Sequence, residues 1–367
     1  MRIAHLTSVH LWHDVRILHR MCRHLASEGV QVTLYALADE GWERHVEGVR
    51  VFCLPAAKGK ADRALRQGPR LLHQALADGA DILHFHDPEL LPLLTYQALR
   101  GRRVIFDIHE DVAEQIQGKD WIPERLRRFV SRVYAKVEST ASPRMSALVV
   151  ASPLQAHRFA GLNVLNVRNF PLREELPSLE RRLEREHDLI AYVGGIATER
   201  GATRIAEAVR ILRARRPELR CVLAGRFHES GIEARLRQDG IELPGMLDRS
   251  AVYDLLQRAR VGLCLLQPVP RFLEAYPTKL FEYMASELPI VASDFPLYEQ
   301  ILNQPKCGIM VDPRSPEAIA LAIESLLEDP ELAEALGRSG RKSVEESYTW
   351  EHDGKLLIEL YHRLLAS

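Results

Sequence analysis

The strongest limit on what this chain can fold into is a pattern laid down twice. Short apolar runs of about five residues alternate with amphipathic helical stretches, first in one half and then again in the other. Strands are expected at 3–6, 30–36, 82–86, 104–108 and 147–151, with helices such as 17–28 between them. The pattern restarts with strands at 189–193, 220–224, 261–266, 290–293 and 309–311. Its helices are expected over 203–215, 250–258, 278–286, 316–327 and 330–339. Repeated βα units signal parallel sheets, so the expected fold is α/β, with two doubly wound Rossmann-like domains. A chain of 367 residues suits two such domains of roughly 170 to 190 residues each.

The boundaries follow from where the pattern breaks. Residues 1–170 form the first expected domain and 189–348 the second. Between them, 171–188 carries Pro171, Pro177 and a charged run, which reads as a linker. The last stretch, 349–367, is a helix with Leu356, Leu357, Leu360, Tyr361 and Leu364 on its apolar side, expected to return to the first domain.

Composition excludes more than it selects. A formal charge of −1 with 46% hydrophobic and 27% charged residues gives no global reason to expect nucleic acid. No apolar run approaches the ~18 residues that span a bilayer, and the opening Met1-Arg2-Ile3-Ala4-His5-Leu6 reads as a buried strand, so a cytoplasmic chain is expected. The five cysteines, Cys22, Cys53, Cys221, Cys264 and Cys307, are odd in number and widely spaced. They read as buried thiols.

Ligands of open α/β sheets bind beyond the carboxyl ends of the strands, and a cleft between two such domains is a preferred site. The richest stretch is Glu274-Ala275-Tyr276-Pro277-Thr278-Lys279-Leu280-Phe281-Glu282. Pro277 suits a first helical turn, and Leu280, Phe281, Met284 and Ala285 share one face. The N–H groups around Thr278 to Leu280 would then make an anion seat, with Lys279 beside it and the carboxylates of Glu274 and Glu282 available to sugar hydroxyls. Equally, Glu282 can be a solvated helix residue with Lys279 as its ion-pair partner.

Other strand ends carry chemistry too. His109 and Glu110 follow the strand at 104–108. Gly194-Gly195 opens the loop after 189–193, with Arg200 further along, and Gly225-Arg226 follows the next strand. Glycines there let backbone approach a ligand, and either arginine can neutralise a diphosphate. His84 and His86 admit a metal-ligand reading, but no compact ligand set is visible and no metal is expected. The stretch 121–136 combines Trp121, Ile122, Leu126, Phe129, Val130, Val133 and Tyr134 with Arg125, Arg127, Arg128, Arg132 and Lys136. It reads either as an ordinary core-facing helix or as one resting on an anionic membrane surface.

Together these stretches resemble the GT-B glycosyltransferases, and within them the large retaining group of family 4. The resemblance runs over nearly the whole chain. It is carried by Glu274 through Ala285, Leu288-Pro289-Ile290-Val291-Ala292-Ser293, Gly308-Ile309-Met310-Val311 and Tyr348-Thr349-Trp350-Glu351. In the first half, Ser8-Val9-His10 with Asp14-Val15-Arg16, His86-Asp87-Pro88-Glu89 and Asp107-Ile108-His109-Glu110 look like a subgroup of bacterial surface polysaccharide assembly. The resemblance implies retaining transfer of a sugar from a nucleotide-diphosphate sugar, first of all a UDP-sugar, to a hydroxyl of a glycan or lipid-linked acceptor. It implies no metal and no separate cofactor.

Carried over by position, His109 and Glu274 act on the donor sugar. Gly194, Gly195, Arg200, Arg226, Thr278, Lys279 and Leu280 hold the diphosphate, and Glu282 the ribose. Asp14, Arg16 and Glu110 border the acceptor. The enzyme would work in the cytoplasm, peripheral to the inner membrane face. Three departures stand out: Gly195 where many relatives have arginine, Ser8 to Asp14 in place of a glycine-rich loop, and Glu287 where a helix-ending glycine is common. A nucleotide-sugar epimerase of the same architecture, or a non-catalytic binding partner, remain alternatives.

Overall fold

The computed structural model describes residues 1–108, 112–117, 122–178, 184–273, 275–304 and 306–366. It divides into two units, Met1–Asn169 with Trp350–Ser367, and Phe170–Thr349.

The first unit holds an eight-stranded sheet. Its strands are β1 (Arg2–Leu11), β2 (Gln31–Ala38), β3 (Trp42–Val46), β4 (Val49–Pro55), β5 (Ile82–Phe85), β6 (Arg103–Ile108), β7 (Ala147–Val150) and β8 (Val164–Asn166). They run in the order β3-β4-β2-β1-β5-β6-β7-β8. All neighbours are parallel except the β3–β4 pair. β5 and β7 are buried along their whole length, so neither alternates apolar and polar residues; the one polar residue in the two, His84, is buried too.

The sequence reading omits β3, β4, β8 and, in the second unit, the strand Glu242–Gly245; for β3 and β4 the reason is local. Glu47 and Gly48 turn the chain with φ of 51° and 82°, a two-residue hairpin whose first position is not the usual Asn or Asp. The helix expected over 17–28 is also different in kind. It starts as a π-helical stretch, Val15–Cys22, before narrowing to an α-helix over Arg23–Ser27.

The terminal helix Trp350–Ala366 belongs to this unit. Trp350, Leu357, Leu360 and Tyr361 are fully buried. Arg168 grips Asp353 with two parallel bonds, Nη2 to Oδ1 at 2.6 Å and Nε to Oδ2 at 3.0 Å. A Cβ on Gly354 would overlap the His24 imidazole, so any larger residue there would force that ring to move.

The second unit holds a six-stranded parallel sheet. Its strands are β9 (Leu189–Val193), β10 (Arg220–Ala224), β11 (Glu242–Gly245), β12 (Val261–Cys264), β13 (Ile290–Ser293) and β14 (Gly308–Val311), ordered β11-β10-β9-β12-β13-β14. Strand order reverses at β9, where β10 lies to one side and β12 to the other. The loop after β9 therefore sits at a topological switch point, the place where open α/β sheets take ligands. Phe170, at the start of the unit, is fully buried against Phe281 and Tyr348.

Candidate active site

The helix Thr278–Ala285 starts where the sequence pattern sets it, but Pro277 is not part of its first turn. Pro277 has ψ of 120° and sits at the cap position, outside the first turn. The buried face of the helix carries Leu280, Phe281, Tyr283, Met284 and Ala285, which fixes its start beside the ends of β9 and β12. Tyr283 does the fastening. Its hydroxyl accepts from the Val193 N–H at 3.0 Å and donates to the Leu263 carbonyl at 3.2 Å, so one side chain ties the helix to both strands.

Lys279 lies on this first turn but turns inward, 7% exposed. Its Nζ stands 3.5 Å from the centre of the Tyr192 ring and has no hydrogen-bond partner among the described residues. Burial pulls its pKa down to about 8, with the nearby Arg200 charge acting the same way. A cation–π contact offsets only part of the desolvation of an ammonium group. Among the described residues the Glu282 carboxylate acts the other way without restoring the ordinary value.

Glycines let this lysine come so close. Gly194 has φ of 124°, and a Cβ there would lie 3.3 Å from the Lys279 Nζ. Gly225 (φ 149°) would collide with the Gly194 carbonyl if it carried a side chain. A Cβ on Gly195 would lie 2.8 Å from the His228 ring and 3.4 Å from the Arg200 Nε. Arg200 in turn rests 5.5 Å above the Phe272 ring. Gly194, Gly195, Arg200 and Lys279 are thus brought close together.

Other candidates fall differently. The Leu280 N–H is already donated to the Pro277 carbonyl at 3.0 Å, so it is not open to an anion; the first-turn donors that remain are those of Thr278 and Lys279. The Arg226 side chain is exposed, while its backbone carbonyl accepts from Ile196 at 2.8 Å. Glu282 is half-buried one turn beyond Lys279. Glu274, His109 and Glu110 lie outside the described residues. Sequence reasoning missed Tyr192, Tyr283 and His228. For Tyr283 a signal existed, since a tyrosine on the buried face of an apolar helix needs a partner for its hydroxyl.

In the first unit, Asp14 caps the π-helical stretch, its Oδ1 accepting from Arg16 N at 2.8 Å and Ile17 N at 3.0 Å. Burial opposes ionisation here, but His10 and those two N–H groups outweigh it and hold the carboxyl well below the usual range. Arg16 is fully committed inside the protein. It pairs with Asp107 through Nε at 3.1 Å and Nη2 at 2.9 Å, and its Nη1 donates to Val167 O and Asn169 Oδ1, each at 3.0 Å.

Asp107 continues into a buried chain: His86 Nδ1 at 3.0 Å, then His5 Nδ1 against His86 Nε2 at 3.0 Å, then Tyr361, whose hydroxyl lies 3.2 Å from His5 Nε2 and 2.7 Å from His84 Nδ1. His5 was missed as a neighbour of His84 and His86, although parallel register sets it directly opposite His84. The nitrogens of these three imidazoles lie within 4.8 Å of one another, a spacing that metal ligands also show. Here the rings stack within 16° to 33° of parallel, and the hydrogen-bond chain runs through them. Burial among neighbouring imidazoles holds the His5 pKa well below its ordinary value.

Two Rossmann-like sheets, the second with a glycine-lined cationic seat at its switch point, define a nucleotide-sugar glycosyltransferase of GT-B type. Residues 15–172 match the glycosyl transferase 4-like domain, and 179–343 match the glycosyl transferases group 1 family. The chain belongs to this family of glycosyltransferases and transfers a sugar from a nucleotide sugar. EpsD of Bacillus subtilis (strain 168), provisionally named a glycosyltransferase, is 24% identical over 345 residues, covering 83% of this chain and 85% of that protein. Sucrose-phosphate synthase from Thermosynechococcus elongatus has a similar structure, with a TM-score of 0.72 at 18% identity over 100% of this chain and 99% of the other. HepE from Anabaena, solved in complex with UDP, gives 0.71 at 12% identity over 99% and 100%. No helix among the described residues is long and apolar enough to cross a membrane.

Proposed function

We propose that this enzyme moves a sugar from a UDP-sugar to a hydroxyl of a glycan or lipid-linked glycan acceptor, with retention at the anomeric carbon, in bacterial surface polysaccharide assembly. It does so as a cytoplasmic protein peripheral to the inner membrane face. The observation that carries this reading is Lys279, a buried ammonium with no hydrogen-bonding partner among the described residues, flanked by Gly194 and Arg200 at the start of a helix. An arriving diphosphate supplies negative charge to it. The UDP in the HepE complexes favours uridine as the base.

As the anomeric C–O bond breaks, negative charge collects on the leaving diphosphate. Lys279, Arg200 and the first-turn N–H groups of Thr278 and Lys279 stabilise it most at that moment. The acceptor oxygen forms its bond on the face being vacated, and a leaving phosphate oxygen takes the acceptor's proton. On this reading Glu282 receives the ribose hydroxyls, Glu274 those of the donor sugar, and His109 approaches the donor sugar. Asp14 and Glu110 border the acceptor, and Arg16 acts through Asp107 as a support for that side. No metal is required.

Titrating UDP while following the melting temperature tests the reading. UDP at about a hundred times its Kd should stabilise the wild type by about 2.7 kcal/mol. Lys279→Met should weaken binding roughly 30-fold or more, because a phosphate loses its buried cation. His109→Ala should lower turnover with UDP affinity unchanged. No shift with any nucleoside diphosphate would overturn the assignment, and release of an epimerised free sugar nucleotide without acceptor would favour the epimerase.

A further inference from the structure

The helix Glu124–Ala141 has two exposed faces of different character. Leu126, Phe129, Val133 and Val137 are 46%, 65%, 46% and 42% exposed. Their spacing puts them in one stripe within roughly 80° of the helix circumference. Arg125, Arg128, Arg132 and Lys136, all exposed, fill the neighbouring roughly 80° and have no carboxylate partner among the described residues. The opposite side is the one packed inward. Ser131 donates to the Ala113 carbonyl at 2.8 Å, and Glu138 is buried against Arg158 at 2.6 Å.

The neighbouring helix Leu91–Leu99 also exposes apolar side chains. Tyr96 and Leu99 of Leu91–Leu99 are 54% and 67% exposed. Between the helices lies a mainly apolar groove of about 390 Å³, walled by Pro92, Thr95, Val137 and Ala141, with Lys136 and Arg144 also lining it. Four large apolar side chains in register on an outward face exceed the scattered exposure of an ordinary surface.

We propose that this face docks on an anionic lipid bilayer: Leu126, Phe129, Val133 and Val137 enter the acyl boundary, and Arg125, Arg128, Arg132 and Lys136 meet the lipid phosphates. The argument is charge complementarity. An apolar stripe beside an unneutralised cationic one is the composition of a helix lying in the membrane interface. A second copy of the chain would bring two cationic stripes together and is disfavoured by repulsion. The proposal makes specific the membrane-face location read above, and rests on it only for its purpose; the surface itself is separate from the donor seat.

Co-sedimentation with vesicles tests it. The wild type should pellet with phosphatidylcholine vesicles containing phosphatidylglycerol, less with phosphatidylcholine alone, and less again as salt is added. Replacing Arg125, Arg128 and Arg132 together by Gln should lower partitioning roughly a hundred-fold, at about five-fold per cation. Phe129→Ser with Val133→Ser should lower it on the order of ten-fold or more through lost apolar burial. The UDP-induced melting shift, run on every variant, certifies folding and separates the two readings: vesicle binding without a UDP shift would sustain the docking face and sink the donor assignment. The docking face falls if the wild type stays in solution with phosphatidylglycerol, if either variant set binds like the wild type, or if light scattering shows a dimer abolished by the Phe129 and Val133 changes.

Discussion

Arg16 in the first unit and Lys279 in the second are both buried cations, 6% and 7% exposed, yet they are held in opposite ways. Arg16 makes four hydrogen bonds, two of them to a fully buried aspartate. Lys279 makes none that the described residues record and leans on an aromatic face. A saturated buried cation is a fastening, because nothing further can bind it without breaking what it already holds. On the proposed function an unsaturated one is a receptor, whose desolvation the fold bears until a ligand brings the counter-charge.

The same substitution at each place should break the pair apart. Arg16→Met leaves Asp107 buried without its cation and should lower stability by about 3 to 5 kcal/mol in urea unfolding. Lys279→Met should leave the ligand-free protein as stable or more so, and show its loss only in UDP titration. Equal destabilisation by both would sink the distinction.

A pH series sharpens it. Lys279 is lowered in the fold from its ordinary 10.5 to about 8, so between those values the folded chain binds fewer protons than the unfolded one. Stability from this group therefore rises with pH across that window, by up to roughly 3 kcal/mol. UDP affinity should move the other way, falling as pH passes 8 because the ammonium that meets the diphosphate is being lost. Lys279→Met should abolish both trends.

Smaller effects test the edges of the comparison. Tyr361→Phe removes the hydroxyl between His5 and His84 and should cost about 1 to 2 kcal/mol in thermal unfolding without altering UDP affinity. Glu287→Gly should stabilise by up to about 1 kcal/mol, since Glu287 holds φ of 51° at the end of the helix Thr278–Ala285. The native helix end tolerates that strain by other means. Leu288 N closes back on the Tyr283 carbonyl at 2.9 Å, while Arg185 and Arg341 donate to the carbonyls of Glu287 and Ala285 at 2.8 Å and 2.6 Å.

Much of this was legible along the chain. The doubled βα pattern, the glycines after β9, and the grouping of Pro277, Thr278, Lys279 and Leu280 at a helix start are short-range features, and short-range features survive being read in one dimension. What stayed hidden depends in part on partners far apart in sequence and in part on how a local turn closes. Asp14 reads as an acceptor-side carboxylate and proves also to be a helix cap, which needs only its next few neighbours. Arg16 reads as an acceptor-side cation, but its charge is taken by Asp107, 91 residues away. The Leu280 N–H was assigned to phosphate, and a tight first turn took it.

The sequence by itself determined the two α/β sheets, the family, and which strand ends carry glycine and charge, because hydrophobic period and turn chemistry are local properties. Only the tertiary structure decided which charges remain unanswered. Whether a buried lysine is paired, or a row of leucine, phenylalanine and valine on a helix is covered, depends on the groups the fold brings beside it from elsewhere in the chain. The same letters would serve equally well for a closed ion pair and for an open phosphate seat.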